Sequence, residues 1–401
     1  MLPLRRGIIP QHIVARVVRT YVVLLFLLLG FCPHDVLAGQ RPKKPEPLIT
    51  PVLPAEQAWQ ATLPFSASAG GAMDDARVYV PLAGEHFFAI DRETGKTVWT
   101  VDIESDWPPL VRNGVVYLAA SDELHALDAA TGNRLWRVPL GRGAIAPMVS
   151  TEQALVVFVA PDEVRAFNPS DGRVLWSTPL GGRSGRVSMV VNDTGIYVAL
   201  VDRLFRVMAA DGSLRWDRQL PGEIASIAVA RDRILAGSTS NEAFAFEPDR
   251  GRLIWRFKFG GDVVGIAAKD NLVFVVSLDN LVRALNRSNG NQIWKRVLAT
   301  RPVGAPLVFD GAVAAAGAES VATFNSKTGA SIGTFEAVDL LQGQPLVDPT
   351  PSPFAVSVLA IMRDGRAMGL RPVEMLFKEK PIEALTALPG RPLQKELSPL
   401  R

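Results

Sequence analysis

Metal chemistry is the first possibility to weigh, because the 401-residue chain has four histidines and one cysteine, Cys32. Two histidines, His86 and His125, fall in the β-patterned body of the chain. They stand at unmatched places in adjacent repeats, three residues before Ala89 and one before Ala126, and no third ligand completes a tetrahedral set. They read as strand or loop histidines, and no metal site is assigned. A recurring acid is the second possibility. Asp91, Asp128, Asn168 and Asn286 each precede a glycine by four residues. General acid-base work needs a titratable proton, which asparagine lacks, so a position that accepts either residue reads as a side-chain oxygen capping turn amides. The third candidate is Gly181-Gly182-Arg183-Ser184-Gly185-Arg186. It lacks the strand-to-helix context of a phosphate loop and reads as a flexible cationic surface loop. Arg183 and Arg186 are therefore candidate partner contacts, as is Trp107 in Asp106-Trp107-Pro108-Pro109. No catalytic or cofactor-binding residue is nominated.

The elements that hold these residues repeat. Ala126 to Trp136 reads as a strand end, a Thr131-Gly132 turn and a new strand. The same unit recurs from Ala89 through Gly95 to Trp99, from Ala166 through Gly172 to Trp176, and from Ala284 through Gly290 to Trp294. Degenerate copies surround Gly212-Trp216, Gly251-Trp255 and Gly329, the last with Gly333 in the tryptophan's place. The turn glycines are 37 to 40 residues apart, the signature of a repeat architecture. Each unit reads as four strands. Between Trp99 and Trp136 these are Leu110-Arg112, Val115-Ala119 after an Asn113-Gly114 turn, Leu124-Leu127 and Arg134-Val138. No stretch with helical period competes.

This pattern predicts an all-β propeller of four-stranded antiparallel blades. Trp59 lies 40 residues before Trp99 with no turn in front of it, an isolated fourth strand. After Gly329 the chain offers three strands and lacks the fourth. Pairing the N-terminal strand into this last unit closes the ring and makes eight blades; seven is the alternative, if Val338 to Leu370 is an appendage. The recurring Trp59, Trp99, Trp136, Trp176, Trp216, Trp255 and Trp294 are expected to dock each blade on the next, each burying ~150 to 250 Å².

Outside residues 56 to 372 the composition changes. Arg5, Arg6, Arg16 and Arg19 precede an uncharged apolar run from Tyr21 to Phe31, then Val36-Leu37-Ala38. This reads as a secretory signal peptide over 1–38, since eleven uncharged residues fall short of the ~20 that span a bilayer. Cys32 stands where a lipoprotein carries its lipidated cysteine, but Phe31 before it is too large for that motif, so lipid attachment is disfavoured. Cleavage after Ala38 leaves no cysteine and hence no disulfide or thiolate site. Residues 39–55 hold five prolines and read as a stiff tether, and 373–401 as a polar, flexible tail. The first 38 residues contain four arginines and one acid, so 39–401 carries equal numbers of basic and acidic residues. That balance leaves no electrostatic footprint for nucleic acid.

The Ala-x-Asp/Asn, Thr/Asp-Gly, Trp unit at this period resembles the pyrroloquinoline-quinone-type propeller repeat over residues 55 to 370. Within that repeat class the chain is similar to the BamB-like propeller of the outer-membrane β-barrel assembly machinery, and shorter than the quinoprotein dehydrogenases. The resemblance implies an eight-bladed, periplasmic, monomeric scaffold without enzymatic activity or cofactor. It also implies partners among envelope proteins, met through loops after the fourth and fifth tryptophans. Here the loop after Trp176 carries Arg183 and Arg186, whereas Leu220-Pro221-Gly222-Glu223 after Trp216 lacks an acidic stretch. A quinone- or sugar-binding propeller, with a funnel of convergent acids at one channel mouth, is the alternative, and a polysaccharide-binding module the third reading.

Overall fold

A computed structural model describes residues 55–372, except 121, 145–147, 182–184, 194, 310, 337–344 and 349–355. The described residues form eight sheets of four antiparallel strands in which sequence neighbours are spatial neighbours. Blade 2 shows the plan, with strands Leu110–Arg112, Val115–Ala120, Glu123–Asp128 and Arg134–Pro139. The other blades span 72–101, 149–179, 187–219, 224–258, 263–297 and 307–336 for blades 1 and 3 to 7.

Blade 8 is composite. Leu346–Val347, Val358–Ile361 and Arg366–Pro372 are completed by Ala55–Thr62, which pairs antiparallel with Arg366–Pro372 from Ala55 opposite Pro372 to Thr62 opposite Arg366. The seven-bladed alternative is thereby excluded, because the strand around Trp59 finds its hydrogen-bond partner only in the segment that alternative discards.

Each second strand has neighbours on both faces, which explains why these strands read as unbroken apolar runs. In Leu272–Ser277, Val273 and Val275 join the cluster shared with blade 5, and Phe274 and Val276 the one shared with blade 7. Eight such clusters fill the eight seams, including one between blades 8 and 1 that contains Trp59, Val80 and Leu359. The core is therefore a ring of inter-blade layers. Fourth strands form the outer rim, and their burial alternates with exposure.

Alternating strand direction sorts the connections. The loops between blades and the turns from second to third strands share one face, hereafter the loop face. Turns from first to second and from third to fourth strands share the other, the turn face. The chain enters at Ala55 and leaves at Pro372 on the turn face.

Candidate interaction surfaces

The seams are built from the repeat itself. A β-bulge precedes the tryptophan in every fourth strand that has one: in blade 2, Ala126 faces Trp136 and Leu127 faces Arg134, so Leu135 drops out of the ladder and is exposed. The indole then lies on the turn glycine of the next blade. A Cβ on Gly132 would stand 2.8 Å from the Trp99 ring, and one on Gly95 2.5 Å from Trp59. The indole N–H donates to the carbonyl three residues before that glycine at all seven places. Trp59 to Arg92 (2.8 Å), Trp136 to Pro169 (3.0 Å) and Trp294 to Ser326 (2.9 Å) are representative.

Gly333 breaks the series for a geometric reason. Its blade precedes blade 8, whose third and fourth strands come from opposite ends of the chain. That blade has no third-to-fourth turn, so an indole there would have no glycine to cover.

The turn acids act locally. Asp91 Oδ1 accepts from the Thr94 amide (2.8 Å) and hydroxyl (2.7 Å), and Asp128 Oδ1 from those of Thr131 (2.8 and 2.7 Å). The Thr94 and Thr131 hydroxyls, with the turn amides, hold both carboxyls below the usual aspartate range. Asn325 accepts from the Thr328 amide in the same geometry, and Asn168 accepts instead from the amide of Ser170, two residues on. His125 is buried with Nε2 3.2 Å from a Glu123 carboxylate oxygen. Burial holds its imidazole below the usual histidine range, helped by Arg134 and Arg137 and opposed by Glu123. His86 stacks on the exposed Phe65 ring, centroids 4.1 Å apart. Among the described residues no group of three or more His, Cys, Asp and Glu side chains is placed to hold a metal ion.

Two of the three nominated contact residues can be placed, and both are on the loop face. Trp107 lies in the connection from blade 1 to blade 2, half-buried, its indole N–H donating to Ala144 O (2.9 Å) in the next connection. Its ring thus ties two loops together while keeping one edge at the surface. Arg186 ends the connection from blade 3 to blade 4; its carbonyl accepts from Val201 N (3.0 Å) and its side chain is exposed. The two sit at junctions two blades apart, so a partner touching both would span a broad arc of this face. Arg183 lies outside the described residues, as do the signal, lipid-attachment and tail expectations, including Cys32.

On the turn face the seam between blades 8 and 1 carries a buried ion pair that sequence reasoning missed. Arg92 Nε donates to Val356 O (2.7 Å), and its terminal nitrogen meets Asp348 Oδ2 at 2.5 Å. A run of Asp-Arg-Glu in one turn of the repeat was its only trace in the sequence. The described first strands, which line the central channel, carry two charged residues, Arg112 and Lys269, both cationic and both at the turn-face end. Two clefts open on that face. One of about 620 Å³ lies between blades 3 and 4 beside Arg112, Asn192 and Asp193. The other, about 490 Å³, lies between blades 5 and 6 beside Arg231, Lys269 and Arg287.

The family model described as "Outer membrane protein assembly factor BamB" matches residues 54–198, 160–236 and 201–392. No curated protein matches the sequence. Among solved structures, BamB from Moraxella catarrhalis superposes with a TM-score of 0.64 at 18% identity, covering 79% of this chain and 97% of that one. The computationally designed Ika8 protein gives 0.65 at 14% identity over 78% and 98%. Sqt1 of Saccharomyces cerevisiae gives 0.68 at 11% identity over 80% and 99%. At these identities the structural likenesses speak to the fold.

Proposed function

This chain belongs to the outer membrane protein assembly factor BamB family, and from that premise we propose that it is a non-catalytic periplasmic scaffold that holds envelope proteins together during outer-membrane β-barrel assembly. The observation that carries the reading is the division of labour within the repeat. Tryptophans, turn glycines and capping Asp or Asn residues are spent on the seams, which leaves the loop face as the part of the ring that varies between blades. Trp107 and Arg186 stand there, an aromatic and a guanidinium of the kind that anchor protein interfaces. The rigid ring holds them at fixed separation, so docking orders few residues and loses little entropy.

The test is photo-crosslinking in cells, with the reactive side chain placed at Trp107, at Arg186 and, on the turn face, at the exposed Lys327. Adducts with the barrel-forming subunit of the assembly machinery from the two loop-face positions are expected. Adducts from Lys327 alone, or none from any site, would reverse the assignment of faces or remove the scaffold reading. A titration of the purified protein with pyrroloquinoline quinone and calcium, followed by a dye-linked oxidation assay, checks the absence of chemistry: saturable binding with turnover makes the protein an enzyme.

A further inference from the structure

The bulge that sets each tryptophan also turns apolar residues outward, and it accounts for most of those the ring exposes. Of ten exposed large apolar side chains among the described residues, seven lie one or two positions before a repeat tryptophan, as Leu135 precedes Trp136 and Leu253 precedes Trp255. The repeat explains these seven. The other three are Phe65, whose ring stacks on His86, and the pair Leu278 and Val297.

Leu278 and Val297 belong to the loop-face end of one blade. Val297 stands in the fourth strand of blade 6 opposite Leu281, and Leu278 opens the turn that leads into Leu281. The positions equivalent to Val297, three after the other tryptophans, hold Thr62, Asp102, Pro139, Pro179, Gln219 and Lys258. Val297 is 74% exposed, more than any other large apolar residue described. Trp294 packs toward blade 7, so Val297 and Leu281 point to the other side, toward blade 5.

The surroundings are cationic. The fourth strands of blades 5 and 6 contain no acid, and their Arg256, Lys258 and Lys295 are exposed and meet no carboxylate within 4 Å among the described residues. Asp279, in the adjoining turn, is taken up by Arg283 and by the Ser277 hydroxyl, each at 2.6 Å. Glu242, across the ladder from Lys258, and Asp262 are half-buried. On blades 2 and 4, by contrast, Arg137 of the outer strand meets Glu123, and Asp217 pairs with Arg203.

Two aliphatic tips beside lysines make a poor protein anchor, since interface centres favour aromatic residues and arginine and are depleted in lysine. They suit a lipid surface, where aliphatic tips enter the acyl boundary and lysine and arginine stay with anionic headgroups. We infer that the loop-face end of blade 6, with Leu278 and Val297 flanked by Lys258 and Lys295, rests on an anionic bilayer surface. The ring meets the bilayer through one corner, and the Trp107 and Arg186 junctions of blades 1 to 4 stay clear for protein partners.

The experiment places a polarity-sensitive fluorophore on single-cysteine variants of the full chain, each in a Cys32→Ser background, and titrates them with phosphatidylglycerol or phosphatidylcholine vesicles. The variants are Val297→Cys and, as a control, Leu135→Cys, which is likewise exposed beside arginines but four blades away. A blue shift at 297 with phosphatidylglycerol alone, weakened by salt and absent at 135, is expected. Lys258→Glu/Lys295→Glu should raise the vesicle concentration for half-maximal response about tenfold or more. These side chains are exposed, so the variants keep the unmodified unfolding midpoint. The fluorophore reports its own surroundings, so vesicle binding through another part of the chain leaves it unchanged. Equal shifts at 297 and 135, an equal response to phosphatidylcholine, a response undiminished by the charge reversal, or no response overturns the inference. A shift at 297 that grows with protein concentration without vesicles also overturns it and assigns the patch to a second copy of the chain.

Discussion

Gly132 and Gly114 have nearly the same backbone, with φ of +75° and +74°, yet they stand in different surroundings. A Cβ on Gly114 would meet no described atom within 4 Å, whereas on Gly132 it would strike the Trp99 indole. Gly114→Ala should therefore cost only the left-handed backbone penalty of about 1–2 kcal/mol. Gly132→Ala should cost at least ~3 kcal/mol, because the indole must also shift and its N–H bond to Ala129 O strain. Equal losses in chemical denaturation would show that the indole contact carries no weight. The turn carboxylates give a pH signature. In Asp91 and Asp128 the folded pKa lies below the ordinary 3.8, so their stabilisation is complete above that value and is lost as pH falls through the lower, folded one. Turns capped by Asn168 and Asn325 have no such dependence. The Asp91→Asn/Asp128→Asn variant should consequently lose less of its unfolding free energy on acidification below about pH 4 than the unmodified protein. A parallel acid limb in both proteins would count against the capping role. These roles were legible in the sequence because a turn cap and its amides lie within four residues of one another.

Strands and turns were legible for a related reason. Runs such as Leu155–Val159 and Leu272–Ser277 are too short and β-branched for helices and are bounded by turn residues, and the structure places strands there. What stayed hidden was how elements meet across the ring. Arg92 and Asp348 are 256 residues apart, and nothing near either one distinguishes a buried ion pair from two surface charges. Arg92 and Arg287 occupy equivalent positions, and only the neighbouring blade decides that one is enclosed and the other opens on a cleft. Removing one partner of the buried pair leaves the other charge uncompensated, so Arg92→Met should destabilise by roughly 3–5 kcal/mol. The Arg92→Met/Asp348→Asn double variant should recover part of that loss, and thermal unfolding of the single and double variants measures the coupling. A double variant no more stable than Arg92→Met would mean that the pair contributes nothing beyond packing.

At the scale of the molecule, closure rests on one strand. Ala55–Thr62 supplies the outer edge of blade 8, Trp59 for the seam with blade 1, and the Glu56 carboxylate that meets Arg371 Nε at 2.9 Å. A chain starting after Thr62 should expose the edge of Arg366–Pro372 and associate through it, eluting above monomer size in size-exclusion chromatography and being cleaved first in blade 8. A monomeric, protease-resistant product would show that the seams hold the ring without the clasp. The sequence by itself determined the repeat, its period, the four-stranded unit and the turn chemistry, since each depends on residues a few positions apart. It also located the surplus strand and the missing one, from which eight blades could be counted but not separated from seven. Tertiary structure alone decided that the two incomplete ends pair, that Gly333 has no turn to cover, that the Trp107 N–H is taken up by the next loop, and that blade 5 leaves Val297 uncovered. Those outcomes depend on surfaces brought together by ring closure, and such contacts leave no local pattern in the chain.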